Sequence, residues 1–211
     1  MSDARNMNDR DRILDAIRGA RARIPEPCAY PDYPSGVATS AARLPRGTDP
    51  VALFRRRLEE AGGRCFSEAE ELAMALREER ARSGYCDPAL LGRLSALTQA
   101  GLDLQGEFLR ERVDDYAFSI TSAHAGIAET GSLVLTDRAT SRRLAAVATW
   151  IPVAVLDRGS IVASLADGIE TLPNDPNVVY VTGSSCTADV EGILIRGAHG
   201  PAEQFCLLVD A

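Results

Sequence analysis

Apolar positions along the chain fall into two textures. Up to about residue 100 they stand three and four apart, as on one face of a helix: Ile13, Leu14 and Ile17; Leu53, Phe54 and Leu58; Leu72, Ala73 and Leu76; Leu90, Leu91, Leu94 and Leu97. Breaks fall where those stripes end, at Gly19 and at Gly62-Gly63, and Arg64-Cys-Phe66 offers a short strand. Ser67-x-x-Glu70 has capping-box spacing ahead of the third stripe, and Asp87-Pro88 puts a proline at the first position of the fourth helix. Between the first two helices, Pro25, Pro27, Pro31, Pro34, Pro45 and Pro50 interrupt any period, so residues 25–50 read as an extended arm. Tyr30 and Tyr33 on that arm are aromatic groups suited to packing on a neighbouring subunit or partner.

Beyond Val113 alternation and β-branched residues take over. Tyr116-Ala-Phe-Ser-Ile120 is strand-like, and Thr130-Gly131 can turn a hairpin ahead of Ser-Leu-Val-Leu135. Four apolar runs, at residues 133–135, 153–156, 178–181 and 205–209, alternate with three helical patterns. The first pattern uses Leu144, Val147 and Ala148, the second Ile161, Val162, Leu165 and Ile169, the third Val190, Ile193 and Leu194. Apolar strands separated by helices predict an α/β fold, a three-layer sandwich around a mostly parallel sheet. One domain over residues 49–211 then follows a helix and arm at residues 1–48. Such sheets bind ligands at the carboxyl ends of their strands, which puts Asp137, Asp157, Arg158 and residues 183–187 on one rim.

Charge narrows the chemistry. The formal net charge is -7 and all 23 basic residues are arginine, which removes lysine Schiff bases and lysine phosphate loops and argues against a nucleic-acid partner. Five cysteines, Cys28, Cys65, Cys86, Cys186 and Cys206, include no Cys-x-x-Cys pair, so no metal or cluster site is expected on this chain. Their odd number, and no apolar leader ahead of Arg12, predict a reduced cytoplasmic protein. No run approaches the roughly 18 apolar residues of a membrane span.

The polar stretch from Thr182 to Pro201 is the first candidate for function. A strand entering Gly183, Ser184 and Ser185, with Thr187 capping a helix, would turn free N–H groups and the helix dipole toward an anion. Asp189 and Glu191 then fall near that helix's first turn. There the dipole alone favours a carboxylate by about 0.3–1 kcal/mol, so a purely structural role competes with one in orienting substrate or His199. His199, followed by Gly200 and Pro201, suits proton transfer near neutral pH and equally a bond to a backbone carbonyl. Glu129 stands at the hairpin turn with Thr130, Gly131 and Ser132, and if buried needs a partner such as Thr130 or Ser132. Cys186 would lie at a helix N-terminus, where thiol pKa values fall, with no base beside it in sequence. His124 is placed on the surface or the rim.

Three segments, Ile127-Ala-Glu-Thr-Gly-Ser-Leu-Val-Leu135, Gly183-x-x-x-Thr-Ala-Asp-Val-Glu191 and Arg196-Gly-Ala-His-Gly-Pro201, together resemble the lactate utilization protein C family and its LUD domain. The resemblance covers residues 110–211 well and the helical half loosely. It implies a fold like that of ribose-phosphate isomerase, glucosamine-phosphate deaminase and the CoA transferases. It also implies a part in oxidising L-lactate to pyruvate with two partner proteins that carry the iron–sulfur clusters, this chain being the cluster-free member. The pocket expected from these motifs combines Glu129, Asp189 and His199 with binding groups at Thr130, Gly131, Ser132, Gly183, Ser184, Ser185, Thr187, Glu191, Arg158 and Gly200. Two positions depart from the family: Ser184 stands where proline is usual, and Cys186 where arginine or alanine is common. If that arginine holds an anion, Arg158 is the candidate to replace it. Two other readings stay open: a stand-alone enzyme on a phosphorylated, CoA-linked or folate-type substrate with Glu129 as nucleophile or base, and an interaction module, with a homo-oligomer allowed in either.

Overall fold

The computed structural model describes residues 9–23, 47–140, 142–188 and 192–210, and the chain divides into two units, residues 1–40 and 41–211. In the first unit, Asp9 and Asp11 in the opening turn and Arg18 and Arg21 in the last complement the dipole of helix α1 (Asp9–Arg21). The arm prolines from Pro25 to Pro45, with Tyr30 and Tyr33, lie outside the described residues.

The second unit opens where the Asp49 side chain accepts a hydrogen bond from the Val51 amide, with Pro50 in the first turn. This starts α2 (Pro50–Glu60), which carries the stripe of Leu53, Phe54 and Leu58. There follow β1 (Arg64–Phe66), α3 (Ala69–Glu78), β2 (Ser83–Cys86), a 3₁₀ turn (Leu91–Leu94) running into α4 (Ser95–Gln99), β3 (Asp103–Gln105), a second 3₁₀ segment (Arg110–Asp115) and β4 (Phe118–Ser122). Next come β5 (Ala125–Ile127), β6 (Ser132–Thr136), α5 (Arg143–Ala148), β7 (Ile151–Asp157), a 3₁₀ turn (Arg158–Ser160), β8 (Ile161–Val162) and α6 (Leu165–Glu170). The last strands are β9 (Val178–Val181), β10 (Cys186–Ala188), β11 (Leu194–Arg196) and β12 (Phe205–Val209).

Six strands form one parallel sheet in the order β1-β12-β7-β4-β2-β3. Alternation along its central strands separates two cores. Val153, Val155, Phe205 and Leu207 face one side, against Leu72 and Leu76 of α3 and Leu94 and Leu97 of the following turn and helix. Ala154, Leu156, Cys206 and Leu208 face the other, against Leu53, Phe54 and Leu58 of α2 and Ala128, Leu133 and Ile161. The result is the expected α/β sandwich with a mostly parallel sheet.

Five expectations need correction. The runs at 133–135 and 178–181 are not in the parallel sheet: β6 and β9 pair antiparallel in a second sheet of order β8-β5-β6-β9. A continuous apolar run says nothing about strand direction, and here β6 is fully buried whereas β9 is only partly so. Ile161 and Val162 form β8 beside β5, so the second helical pattern shrinks to α6, whose Leu165 and Ile169 are exposed. The third helical pattern contains no helix among the described residues: Leu194, Ile195 and Arg196 pair antiparallel with Ala188, Thr187 and Cys186. Gly192 and Gly197, both at positive φ, bracket that strand, and consecutive Ile-Leu-Ile satisfies a strand as readily as it does helical spacing. The hairpin at Thr130-Gly131 is present, β5 pairing with β6. Ser67 is not the N-cap of α3; Glu68 is, and the Ser67 amide donates to Glu71 at 3.4 Å. Pro88 opens a turn in which the Asp87 carboxylate accepts from the Ala89 amide, and regular α-helix begins only at Ser95.

Candidate functional site

The carboxyl ends of β1, β12 and β7 open into a cleft of about 270 Å³. Its floor includes buried Leu90, Leu94, Val155 and Leu207, while most of its exposed lining is polar. Its rim is charged, carrying Glu68, Arg93, Arg158 and Asp210. Local structure sets each group there. Asp157, last residue of β7, accepts a hydrogen bond from Gly159 and so folds the 3₁₀ turn that lifts Arg158 onto the rim. Buried Asp87 shapes the turn that leads into residues 91–94, and Leu90 and Leu94 pack inward on either side of Arg93. Asp210 follows β12 directly and meets both arginines: its carboxylate lies 3.2 Å from Arg158 Nε, and its carbonyl accepts from Arg93 Nη2 at 2.8 Å.

Of the described residues expected at a site, only Arg158 lines this cleft. Glu129 is half-buried at the β5–β6 turn, and its Oε1 accepts from the Leu165 amide at 2.6 Å. Ser164 and Asp167 cap the same helix reciprocally, so Glu129 satisfies a further donor at its start. Thr130, Ser132 and Thr182 form a hydroxyl chain, with 2.7 Å between the first two oxygens and 2.6 Å between the second two. The hairpin turn and the Gly183 loop are thereby brought together, as the motifs imply. Gly131 and Gly183, at φ +68° and +70°, both press on the C-terminal half of α2: a Cβ on the first would strike the Leu58 amide, and on the second the Ala61 carbonyl.

The Thr182 to Pro201 stretch closes on itself. The Ser185 amide donates to the Pro201 carbonyl, and its own carbonyl accepts from Gly197, each at 2.9 Å. Gly200 sits against the Ser185 side chain, Ser184 is buried, and Thr187 and Cys186 lie in β10. No helix N-terminus faces an anion here, among the described residues, and exposed Cys186 has no helix dipole acting on it. His199 is exposed, and no hydrogen bond joins it to Glu129 among the described residues. Asp189 and Glu191 lie outside the described residues. Asp137 lies in the turn directly after β6 of the second sheet, where it pairs with Arg143 at 2.7 Å and accepts from Asn177. His124 is half-buried and bonds the Thr171 carbonyl. Ser67, Glu68 and Asp210 were within reach of the rule that identified Arg158, since they follow β1 and β12 as it follows β7. Arg93 carried no local signal, being one arginine on the polar side of an apolar stripe.

Glu129 supports a fold-level prediction. Glu129→Ala, which removes the acceptor of the Leu165 amide, should cost about 1 kcal/mol and lower the melting temperature by about 2–4 °C, with Glu129→Gln losing less. If Glu129→Gln abolished ligand binding at an unchanged melting temperature, a chemical role would replace the structural one.

The fold defines an α/β protein whose parallel sheet opens a charged-rim cleft at its strand carboxyl ends, with a second, mixed sheet inserted between its strands. Residues 70–209 match the LUD domain model, and the chain belongs to that family. It is 28% identical over 95 residues to a protein named Lactate utilization protein C from Deinococcus radiodurans, covering 43% of this chain and 45% of that one. A protein of the same name from Bacillus subtilis is 28% identical over 117 residues, 50% of this chain and 48% of the relative. The chain thus spans about half the length of these curated relatives. A crystal structure of a DUF162 family protein from Deinococcus radiodurans superposes with a TM-score of 0.55 at 21% identity, covering 79% of this chain and 99% of that one, a likeness of fold. Among the described residues no helix is long and apolar enough to cross a membrane.

Proposed function

We propose that the chain is an accessory component of an L-lactate utilization system, bearing no iron–sulfur cluster itself and carrying a small-anion site in the cleft between Arg93 and Arg158. The observation that carries this reading is the match to two curated relatives named Lactate utilization protein C, alongside membership of the LUD family. Two partner proteins hold the clusters and perform the electron transfer. Cysteine placement agrees with that division. Cys65 and Cys206 face each other across β1 and β12. Their hydrogen bond, with burial, pushes the Cys206 thiol well above its ordinary range, and the same hydrogen bond, helped by Arg55 and opposed by burial, pulls Cys65 below it. Cys86 is pushed up to about 12 by burial and then by Asp87, and so stays a thiol. Apolar surface on β11 and before β7, with Leu194 71% and Trp150 58% exposed, is suited to cover by a partner.

The test mixes the purified chain with the two iron–sulfur proteins and L-lactate, then omits it. Pyruvate formation should fall on omission, and the chain should co-purify with at least one partner. Oxidation at the same rate without it, and no co-purification, would remove the reading.

A further inference from the structure

We infer that the cleft at the carboxyl ends of β1, β12 and β7 binds a short monocarboxylate through Arg158 and Arg93, and that the Asp210 side chain holds the carboxylate position until the ligand displaces it. The inference deepens the proposed role and rests on it for the choice of probes; the geometry stands by itself.

Size decides first. A volume of about 270 Å³ far exceeds the roughly 30 Å³ share of one water and lies just under the range of about 300–1,000 Å³ typical of drug-sized ligand sites. The cleft therefore has room for a small molecule up to nearly drug size, and a short monocarboxylate fits with space to spare. Lining decides next. Leu94, Val155 and Leu207 give a small apolar floor, whereas the guanidinium groups stand at the rim and most of the exposed lining is polar. A ligand with a short apolar body and one anionic head meets both surfaces at once.

The nature of the head is read from Asp210. Its carboxylate already occupies Arg158, so a carboxylate fits that position sterically and electrostatically. That internal carboxylate is weakly held: its side chain is 86% exposed against 31% for Arg158, and exposed ion pairs contribute little. A ligand carboxylate that also gains the apolar floor and the remaining N–H donors of Arg93 makes more contacts than Asp210 does. Arg93 keeps its place meanwhile, because it is tied to the Asp210 backbone carbonyl and not to the side chain. Glu68 on the same rim selects against higher charge. With Asp210 swung out, two arginines and Glu68 leave one positive charge, which a monoanion balances and a phosphate dianion exceeds.

The experiment measures binding of L-lactate, pyruvate and inorganic phosphate to the purified full chain at matched ionic strength, by saturation-transfer NMR with melting curves alongside. At least one carboxylate should bind saturably. Arg158→Gln should weaken it by about tenfold, as expected for loss of a charge-assisted hydrogen bond. Asp210→Asn should strengthen it by about threefold, because the internal competitor loses its charge. Should Arg158→Gln fail to give a native circular dichroism spectrum, Arg93→Gln reads the same site and should also weaken binding. The proposal is overturned by any of three results: phosphate binding without either carboxylate, wild-type affinity in the arginine variants, or no binding even to Asp210→Asn. Weaker binding in Asp210→Asn would overturn the placeholder role of Asp210. Carboxylate binding combined with lactate oxidation indifferent to the chain would remove the accessory role and leave the site. The opposite pair of results would remove the site and leave the role.

Discussion

Gly183→Ala is expected to lower the melting temperature of the chain by about 10 °C, from a loss of about 3 kcal/mol or more. Two costs add there. The backbone stands at φ +70°, a conformation that an L side chain adopts only with strain. The new Cβ would also drive into the Ala61 carbonyl, and a carbonyl at the end of α2 has no rotamer by which to withdraw. Glycine is therefore required by a close approach of two backbones. Thermal melts of the two proteins check this. The anion-loop reading of the same residue predicts a different outcome, loss of ligand binding at an unchanged melting temperature. Retention of wild-type stability by Gly183→Ala would restore that reading. Gly131, at φ +68° against the Leu58 amide, should behave alike.

How much of this was legible depends on which physical property a residue pattern encodes. Apolar runs at 153–156 and 205–209 encode burial on both faces, and β7 and β12 do lie at the centre of the parallel sheet. The run at 178–181 has the same apolar texture, yet β9 is a partly buried edge strand that pairs antiparallel with β6, because burial and strand direction depend on the path of the chain between elements. Residues 190–196 failed for another reason. Three apolar positions at helical spacing included two neighbours in an Ile-Leu-Ile triplet, and period alone does not separate the two structures over so short a stretch. With the helix gone, the argument for an anion site at Gly183 went with it. The rule that ligands sit at strand carboxyl ends still applies to this sheet, because it depends only on where parallel strands stop. It reaches Arg158 from sequence and, once β1 is known to lie beside β12, Ser67, Glu68 and Asp210 as well. Arg93 becomes visible only through tertiary packing, when Leu90 and Leu94 turn inward and leave it on the rim.

Leu58→Ala should be nearly as damaging, by about 2–5 kcal/mol, because the side chain is fully buried and its removal leaves a cavity in the core shared by α2 and both larger sheets. For a chain of this size that corresponds to a fall of roughly 5–15 °C in melting temperature. Leu58→Met, which keeps the volume, should cost under about 1.5 kcal/mol and serves as the control for packing against chemistry. The reason this residue matters extends beyond its own burial. The LUD match begins at residue 70, whereas α2 ends at Glu60. Yet Gly131 and Gly183, both inside the match, are shaped to the backbone of α2 at Leu58 and Ala61. Leu58 anchors the helix to which those two glycines conform, so loosening it should release the β5–β6 turn and the Gly183 loop together. Hydrogen exchange should report this as faster exchange at the Gly131 and Gly63 amides, which donate to Ile127 and Leu58 carbonyls. The cleft lies at the strand ends with none of its lining drawn from α2, so carboxylate binding to folded Leu58→Met should match that of the unaltered chain. Loss of binding in that control would mean that α2 and the cleft are coupled through the sheet.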